Sequence, residues 1–381
     1  MLKVLHVINP KASPEEWHRL GDISIALRLI KGLSGVTENT LLCDTTRISP
    51  DMKRQLYEEY NVKLRDVSSC LDSRIYQKKV FEYIKEISSE YDILQFQQAQ
   101  SSVAYYLNTT LKNIPTPSVF TVHTPPEVRT ISYLYKDHFL GVVNNPNQRL
   151  VAVSNTMKSR LEKSLGLFEN SNIVTIHNGI EVPSFDVIPY SEREFDFIVV
   201  GRIDAIKNTY RTLEFCAEFP DKKTLFIGDT FKANYKNLGD DEYVDSVYTL
   251  INSTPCITHI KSTDRESVYK YMRNSKICVS FSLSETFSLT SVESMMCGTP
   301  VFGLNSCGIG EVVTPGVTGV LEDVVPRRRW SSTVQILKNS IDKCLDLEPE
   351  NIAKFARSQY TISRMAEVYY KLYMEVISSE K

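Results

Sequence analysis

The chain lacks a cysteine framework, a long apolar run, a one-sided charge and a metal-binding Asp-x-Asp pair, and each absence removes a class of protein. Its eight cysteines (Cys43, Cys70, Cys216, Cys256, Cys278, Cys297, Cys307 and Cys344) are scattered, and no two form a C-x-x-C pair. That spacing argues against a disulfide scaffold or a zinc ribbon and fits reduced, buried thiols in a cytoplasmic protein. No uninterrupted apolar segment approaches the ~18 residues a membrane-spanning helix needs, and the first ten residues show no charged-then-apolar leader pattern. A net charge of −2 gives no broad positive field, so nonspecific nucleic-acid binding is not expected. No internal repeat or low-complexity segment stands out.

What is present is an ordinary globular composition, 42% hydrophobic and 24% charged, over 381 residues. That length exceeds one ordinary core and fits two domains. Apolar runs of strand length alternate with helical periods throughout. In the first half the strands are Lys3 to Ile8, Thr40 to Cys43, Val62 to Val67, Tyr91 to Phe96, Ser118 to Val122, Arg149 to Ser154 and Ile173 to Ile176. Helices are expected from about Asp22, over Asp51 to Tyr60, Arg74 to Ser88 and Ser102 to Leu111, and from about Asn155, capped by Ser154. The Asn178-Gly179 turn suits positive φ, and Glu181 to Glu194, with two prolines and no helical period, reads as a linker. Strands alternating with helices give parallel sheets covered on both faces, an α/β fold. The loop after the first strand lacks G-x-G-x-x-G, which argues against a dinucleotide site.

The candidate chemistry gathers at strand ends. Phe281 to Glu322 reads as a strand end, a turn at Ser284-Glu285-Thr286, a helix from near Ser288 closed by Gly298 and Pro300, a strand, and a flexible turn at Ser306 to Gly310. The start of a helix leaves N–H groups unpaired and favours an anion, so Thr286, Phe287, Ser288 and Leu289 would offer donors to a phosphate. Glu285 precedes that terminus, and Glu293 lies about 9 Å further along the axis. A nucleotide-sugar has its sugar, diphosphate and ribose in that order. Two glutamates eight residues apart also occur on ordinary solvated helix faces. Arg202 and Lys207 follow the strand Phe195 to Val200 and place two cations at one sheet edge, where they would neutralise a diphosphate. His123 follows a strand's C-terminal end, where open α/β sheets hold ligands, although a lone histidine there is also a common structural residue.

The whole order, with Glu285-x7-Glu293, Met-Met-Cys-Gly-Thr-Pro-Val, Gly308-Ile-Gly310-Glu311 and Gly201-Arg202-x4-Lys207, resembles the retaining family-4 glycosyltransferases of the GT-B fold. The resemblance is strongest from Phe195 to Glu322 and mainly topological before that. It implies two Rossmann-like, doubly wound parallel-sheet domains facing across a cleft. Domain boundaries are expected at 1–185 and 186–361, with a terminal helix over 362–381 returning to the first domain. It also implies transfer of a sugar from a UDP- or GDP-sugar to an acceptor hydroxyl, with retention and without a metal or other cofactor. By the same resemblance Glu285 and His123 touch the donor sugar, Glu293 the ribose, Arg202 and Lys207 the diphosphate, and Gly21 the leaving phosphate. The chain departs from the family in carrying Ser288 where a glycine is usual, and in keeping only Gly21 of a Gly-Gly pair.

Other readings of the same fold are an epimerase, a phosphorylase-like enzyme and a non-catalytic nucleotide-sugar-binding scaffold. A carbohydrate or small molecule is the expected acceptor. A hydroxymethylated base in phage DNA is an alternative, supported only by the run Arg327-Arg328-Arg329, for which a solvated loop is the simpler account.

Overall fold

The computed structural model describes residues 1–8, 21–71, 76–97, 114–124, 133–167, 172–230, 240–323 and 330–379. It divides into two compact units, Met1–Glu181 with Thr361–Lys381, and Val182–Tyr360.

The first unit is built on seven strands: β1 (Leu2–Val7), β2 (Thr37–Cys43), β3 (Val62–Asp66), β4 (Ile93–Phe96), β5 (Ser118–Val122), β6 (Gln148–Ala152) and β7 (Ile173–Thr175). Their order is β3-β2-β1-β4-β5-β6-β7, and every pairing is parallel. The helices between them are α1 (Gly21–Leu33), α2 (Pro50–Tyr60), α3 (Tyr76–Ile87), α4 (Tyr133–Val143) and α5 (Asn155–Leu165). Strands buried on both faces explain the unbroken apolar runs of the sequence. Leu5, Phe96 and Phe120 belong to the core on one side, and Ile8, Leu41 and α1 to the core on the other.

The second unit carries β8 (Phe195–Val200), α6 (Thr209–Ala217), β9 (Thr224–Ile227), α7 (Asp240–Ser253), β10 (Ile257–Ile260), α8 (Arg265–Arg273) and β11 (Ser275–Ser280). It continues with α9 (Leu289–Met296), β12 (Val301–Leu304), α10 (Cys307–Val312), β13 (Gly319–Glu322), α11 (Trp330–Ser340) and α12 (Pro349–Gln359). Its sheet runs β10-β9-β8-β11-β12-β13, again all parallel. Both sheets are therefore doubly wound, with the order reversing beside the first strand of each. Phe197, Phe215, Phe226, Phe281 and Phe302 fill one core.

The last helix, α13 (Ile362–Ser378), belongs to the first unit. It packs on α1 so closely that a Cβ on Gly32 would lie 2.7 Å from that of Ala366. Two buried tyrosines fasten it to the sheet: Tyr373 donates to Gln95 Oε1 at 2.9 Å, and the Tyr369 hydroxyl meets Thr121 Oγ1 at 2.8 Å.

Several local readings are corrected. The helix expected from about Asp22 is α1, described from Gly21. Neither Asn178 nor Gly179 takes a positive φ. Gly179 is required instead because a Cβ there would lie 2.7 Å from Ile362 Cα and 2.8 Å from Thr361 O. The turn expected at Ser306 to Gly310 is mostly helical, forming the start of α10. The helix over Ser102 to Leu111, most of the loop before Gly21 and the run Arg327 to Arg329 lie outside the described residues.

The proline-containing stretch 181–194 is not a loose linker. Arg193 is buried, and its guanidinium donates to Ile188 O, Ser275 O, Gly298 O and Thr299 Oγ1 at 2.8–3.2 Å while lying 4.8 Å from the Tyr190 ring centre. Burial lowers its pKa to about 10, still charged at neutral pH. Composition marks flexible turns but does not reveal which carbonyls a side chain will reach. Arg193 thereby straps residues 188–193 to the C-terminal end of α9. Replacing Arg193 by Leu is expected to destabilise the second unit by about 3 kcal/mol, because four oxygens lose their donor. Urea unfolding of the intact chain checks this, and an unmoved midpoint would refute the strap.

Candidate active site

Where the order of the second sheet reverses, the C-terminal ends of β8 and β11 open a pocket. It is lined by Val200, Gly201, Lys207, Thr209, Thr212, Ser280, Glu285 and Thr290, with Val199, Phe226 and Val279 beneath. Three segments shape this region, two loops and the start of α10, and each contains a non-glycine residue in the left-handed conformation: Asn208 (φ +53°), Ser288 (φ +68°) and Cys307 (φ +41°). Such residues cost on the order of 1–2 kcal/mol each and persist only where their surroundings hold them.

The loop after β8 is held by Asp204, whose Oδ1 accepts from the Lys207 backbone N–H at 2.6 Å. Thr209 Oγ1 donates to Arg202 O at 2.8 Å, and Asn208 Nδ2 to Phe281 O at 3.1 Å. These bonds tie the Lys207 loop to the β11 loop. The Lys207 side chain then reaches Glu285, Nζ to Oε1 at 2.6 Å, both partly buried. Behind Glu285, its carbonyl accepts from Gly308 N at 2.9 Å, and a Cβ on Gly308 would lie 2.7 Å from Phe287 N. Only glycine allows α10 to approach this turn so closely.

Of the sequence candidates, the fold brings Lys207 and Glu285 into direct contact. Arg202 is turned to Asp204, Nη2 to Oδ2 at 3.0 Å, and its side chain is 56% exposed. Glu293 faces α8, where Arg265 lies at 3.4 Å and the Tyr269 hydroxyl at 3.5 Å. Phe287 is buried against Tyr360, edge to face with ring centres 5.8 Å apart. Ser288 is the cap of α9, and its Oγ meets Ser291 Oγ at 2.7 Å. The first helical residue is therefore Leu289, and the first-turn donors are carried by Leu289 to Ser291, later than the sequence suggested. Thr286 is half-buried on the same turn. Ser288's left-handed backbone gives the physical reason a glycine suits that position.

Gly21 and His123 belong to the first unit. Gly21 is exposed at the start of α1, and His123 Nε2 lies 3.2 Å from Gln97 Oε1 at the ends of β5 and β4. Sequence reading missed Thr209 and Thr290 in the pocket wall, because threonine near a helix start has no signature of its own. It also missed Asn208, whose only signal is an asparagine before a helix, a residue tolerant of positive φ.

Two doubly wound parallel-sheet units are the GT-B fold of the glycosyltransferases. Residues 184–357 match the family model described as glycosyl transferases group 1, and residues 26–182 match glycosyltransferase family 4. Together the two matches span most of the chain and support a glycosyltransferase. It is similar to an uncharacterized glycosyltransferase of Methanocaldococcus jannaschii, 25% identical over 56% of this chain and 56% of that protein. It is also similar to the D-inositol 3-phosphate glycosyltransferase of Mycobacterium sp. (strain KMS), 26% identical over 46% of this chain and 41% of that one. These matches span about half the length of the curated relatives. The fold is that of Anabaena HepE, solved in complex with UDP and glucose, with a TM-score of 0.71 at 15% identity over 98% and 99% of the two chains. No helix among the described residues is long and apolar enough to cross a membrane.

Gly308→Ala is expected to displace the Glu285–Phe287 turn and destabilise the second unit by about 1–3 kcal/mol. Gly35→Ala is the matched control, since a Cβ there meets nothing within 4 Å. Equal melting temperatures for the two variants would show that close approach at Gly308 does not hold the turn.

Proposed function

We propose that the chain transfers a sugar from a nucleoside-diphosphate donor to an acceptor hydroxyl with retention of configuration. The observation that carries the reading is Lys207 against Glu285 in a pocket at the reversal point of the second sheet, beside the start of α9. As the donor's C1–O bond lengthens, negative charge grows on the diphosphate and positive charge on the sugar ring. The Lys207 ammonium and the first-turn N–H groups of α9 would stabilise the departing diphosphate by preorganised charge. Glu285 draws Lys207 into place and, with His123, would orient sugar hydroxyls. Glu293, steadied by Arg265 and Tyr269, is assigned to the ribose. A phosphate oxygen of the donor would take the acceptor's proton as the new glycosidic bond forms, so the reading needs neither a protein nucleophile nor a metal.

Arg202 is assigned to the phosphate as well, which requires its guanidinium to leave Asp204 when the donor binds. Gly21 is assigned to the leaving phosphate by resemblance. UDP and UDP-glucose are the first ligands to test, because HepE was solved in complex with both. A carbohydrate or small-molecule acceptor and a cytoplasmic setting complete the reading.

A panel of UDP- and GDP-sugars should raise the melting temperature when the matching donor binds. Lys207→Ala is expected to reduce turnover by about a hundredfold, roughly 3 kcal/mol of barrier. Glu293→Ala should weaken nucleotide affinity measured by calorimetry. Unchanged values in both variants would remove the site assignment.

A further inference from the structure

Two glutamines on one strand line of the first unit behave differently. Gln95, within β4, is fully satisfied: its Nε2 donates to Thr121 Oγ1 at 3.0 Å, and its Oε1 accepts from the Tyr373 hydroxyl at 2.9 Å. Both amide ends serve the packing of α13. Gln97, two residues on, is equally buried at 1% exposure, yet its Nε2 has no hydrogen-bond partner among the described residues. Its one side-chain contact among those described joins Oε1 to His123 Nε2 at 3.2 Å. A buried amide with an unpaired donor costs on the order of 1–3 kcal/mol, which an apolar side chain of the same volume would avoid. Packing alone therefore does not account for a glutamine there.

The placement suggests what does. The Gln97 backbone N–H donates to Val7 O at 3.0 Å, which sets the residue beside the end of β1. The gap between β1 and β4 is where the order of this sheet reverses, and His123 follows the end of β5 next to it. Open α/β sheets hold ligands outside such points.

We infer that Gln97 is a positioning residue for His123. Its Oε1 accepts the Nε2–H of the imidazole and so holds the ring in the tautomer whose Nδ1 is the acceptor. Orientation and tautomer are set by the same bond, as for a histidine whose second nitrogen is anchored by its neighbour. The importance of that tautomer to turnover rests on the assignment of His123 to the donor sugar made above; the tautomer itself does not.

The test uses the intact chain labelled with ¹⁵N, with His123 assigned through His123→Asn and imidazole shifts read at neutral pH. Unmodified protein should show His123 protonated at Nε2 alone. Gln97→Leu, which keeps volume and removes the acceptor, should give a mixture of tautomers. Gln97→Glu, which keeps an acceptor oxygen, should restore the single form. A His123 protonated at Nδ1 in the unmodified protein, or a tautomer unaffected by Gln97→Leu, would overturn the inference. With UDP-glucose as probe, Gln97→Leu should lower kcat about tenfold with little change in KM, and Gln97→Glu should recover most of it. A responding tautomer with unmoved turnover would support Gln97's hold on the ring and remove His123 from the proposed reaction.

Discussion

The contact between Lys207 and Glu285 is the interaction on which the site in the second unit depends. Each side chain is largely withdrawn from water, the carboxylate more than the ammonium. A charge so placed is tolerated when its opposite lies within hydrogen-bonding distance. The pair also crosses the reversal point of the sheet, since Lys207 follows β8 and Glu285 follows β11. Its geometry is consequently a property of two loops at once. Under the proposed function, an arriving diphosphate would share the ammonium with the carboxylate and meet a cation already in place, the preorganisation that electrostatic catalysis requires.

Holding two loops in register calls for an unusual backbone, and the second unit shows where the restraint comes from. Asn208, Ser288 and Cys307 are all in the left-handed region, one in each of the two loops and one at the start of α10. Gly308 lets the start of α10 press on the Glu285 turn from behind. At the opposite end of α9, Gly298 takes φ +74° with Val187 and Pro349 close against it, and Arg193 gathers the neighbouring carbonyls. The helix that carries Glu293 is thus braced at its C-terminal end by a strap and at its start by α10.

The first unit spends polarity differently. Its sheet buries Gln95 and Thr121, and also His6, whose Nε2 meets Asn39 Oδ1 at 2.9 Å and whose pKa burial lowers to about 4. His6 is therefore neutral at physiological pH. Tyr369 and Tyr373 from α13 reach into this layer, and burial raises both phenols well above their ordinary range. Directional bonds of this kind specify where the returning helix sits on the sheet, which apolar contact alone leaves free to slide.

Much of this was legible in the chain itself. Unbroken apolar runs such as Lys3 to Ile8 and Phe195 to Val200 identified parallel strands, because a strand covered on both faces needs no polar alternation. Among the candidates marked by spacing around a helix start and after a strand, Glu285 and Lys207 line the pocket, while Glu293 and Arg202 are not in its lining. Residue spacing could not say which cation would meet which carboxylate. Lys207 took Glu285 while Arg202 turned to Asp204, a choice made by the curl of an eight-residue loop. Nor could it show that Gly179 and Gly308 are needed for close approach and not for positive φ, or that Arg193 in a proline-containing stretch is a buried brace. Local sequence determines period and turn chemistry, since these are set by neighbours along the chain. Partners and the steric reason for a glycine are set by residues far away in sequence, and only the tertiary structure brings those within reach.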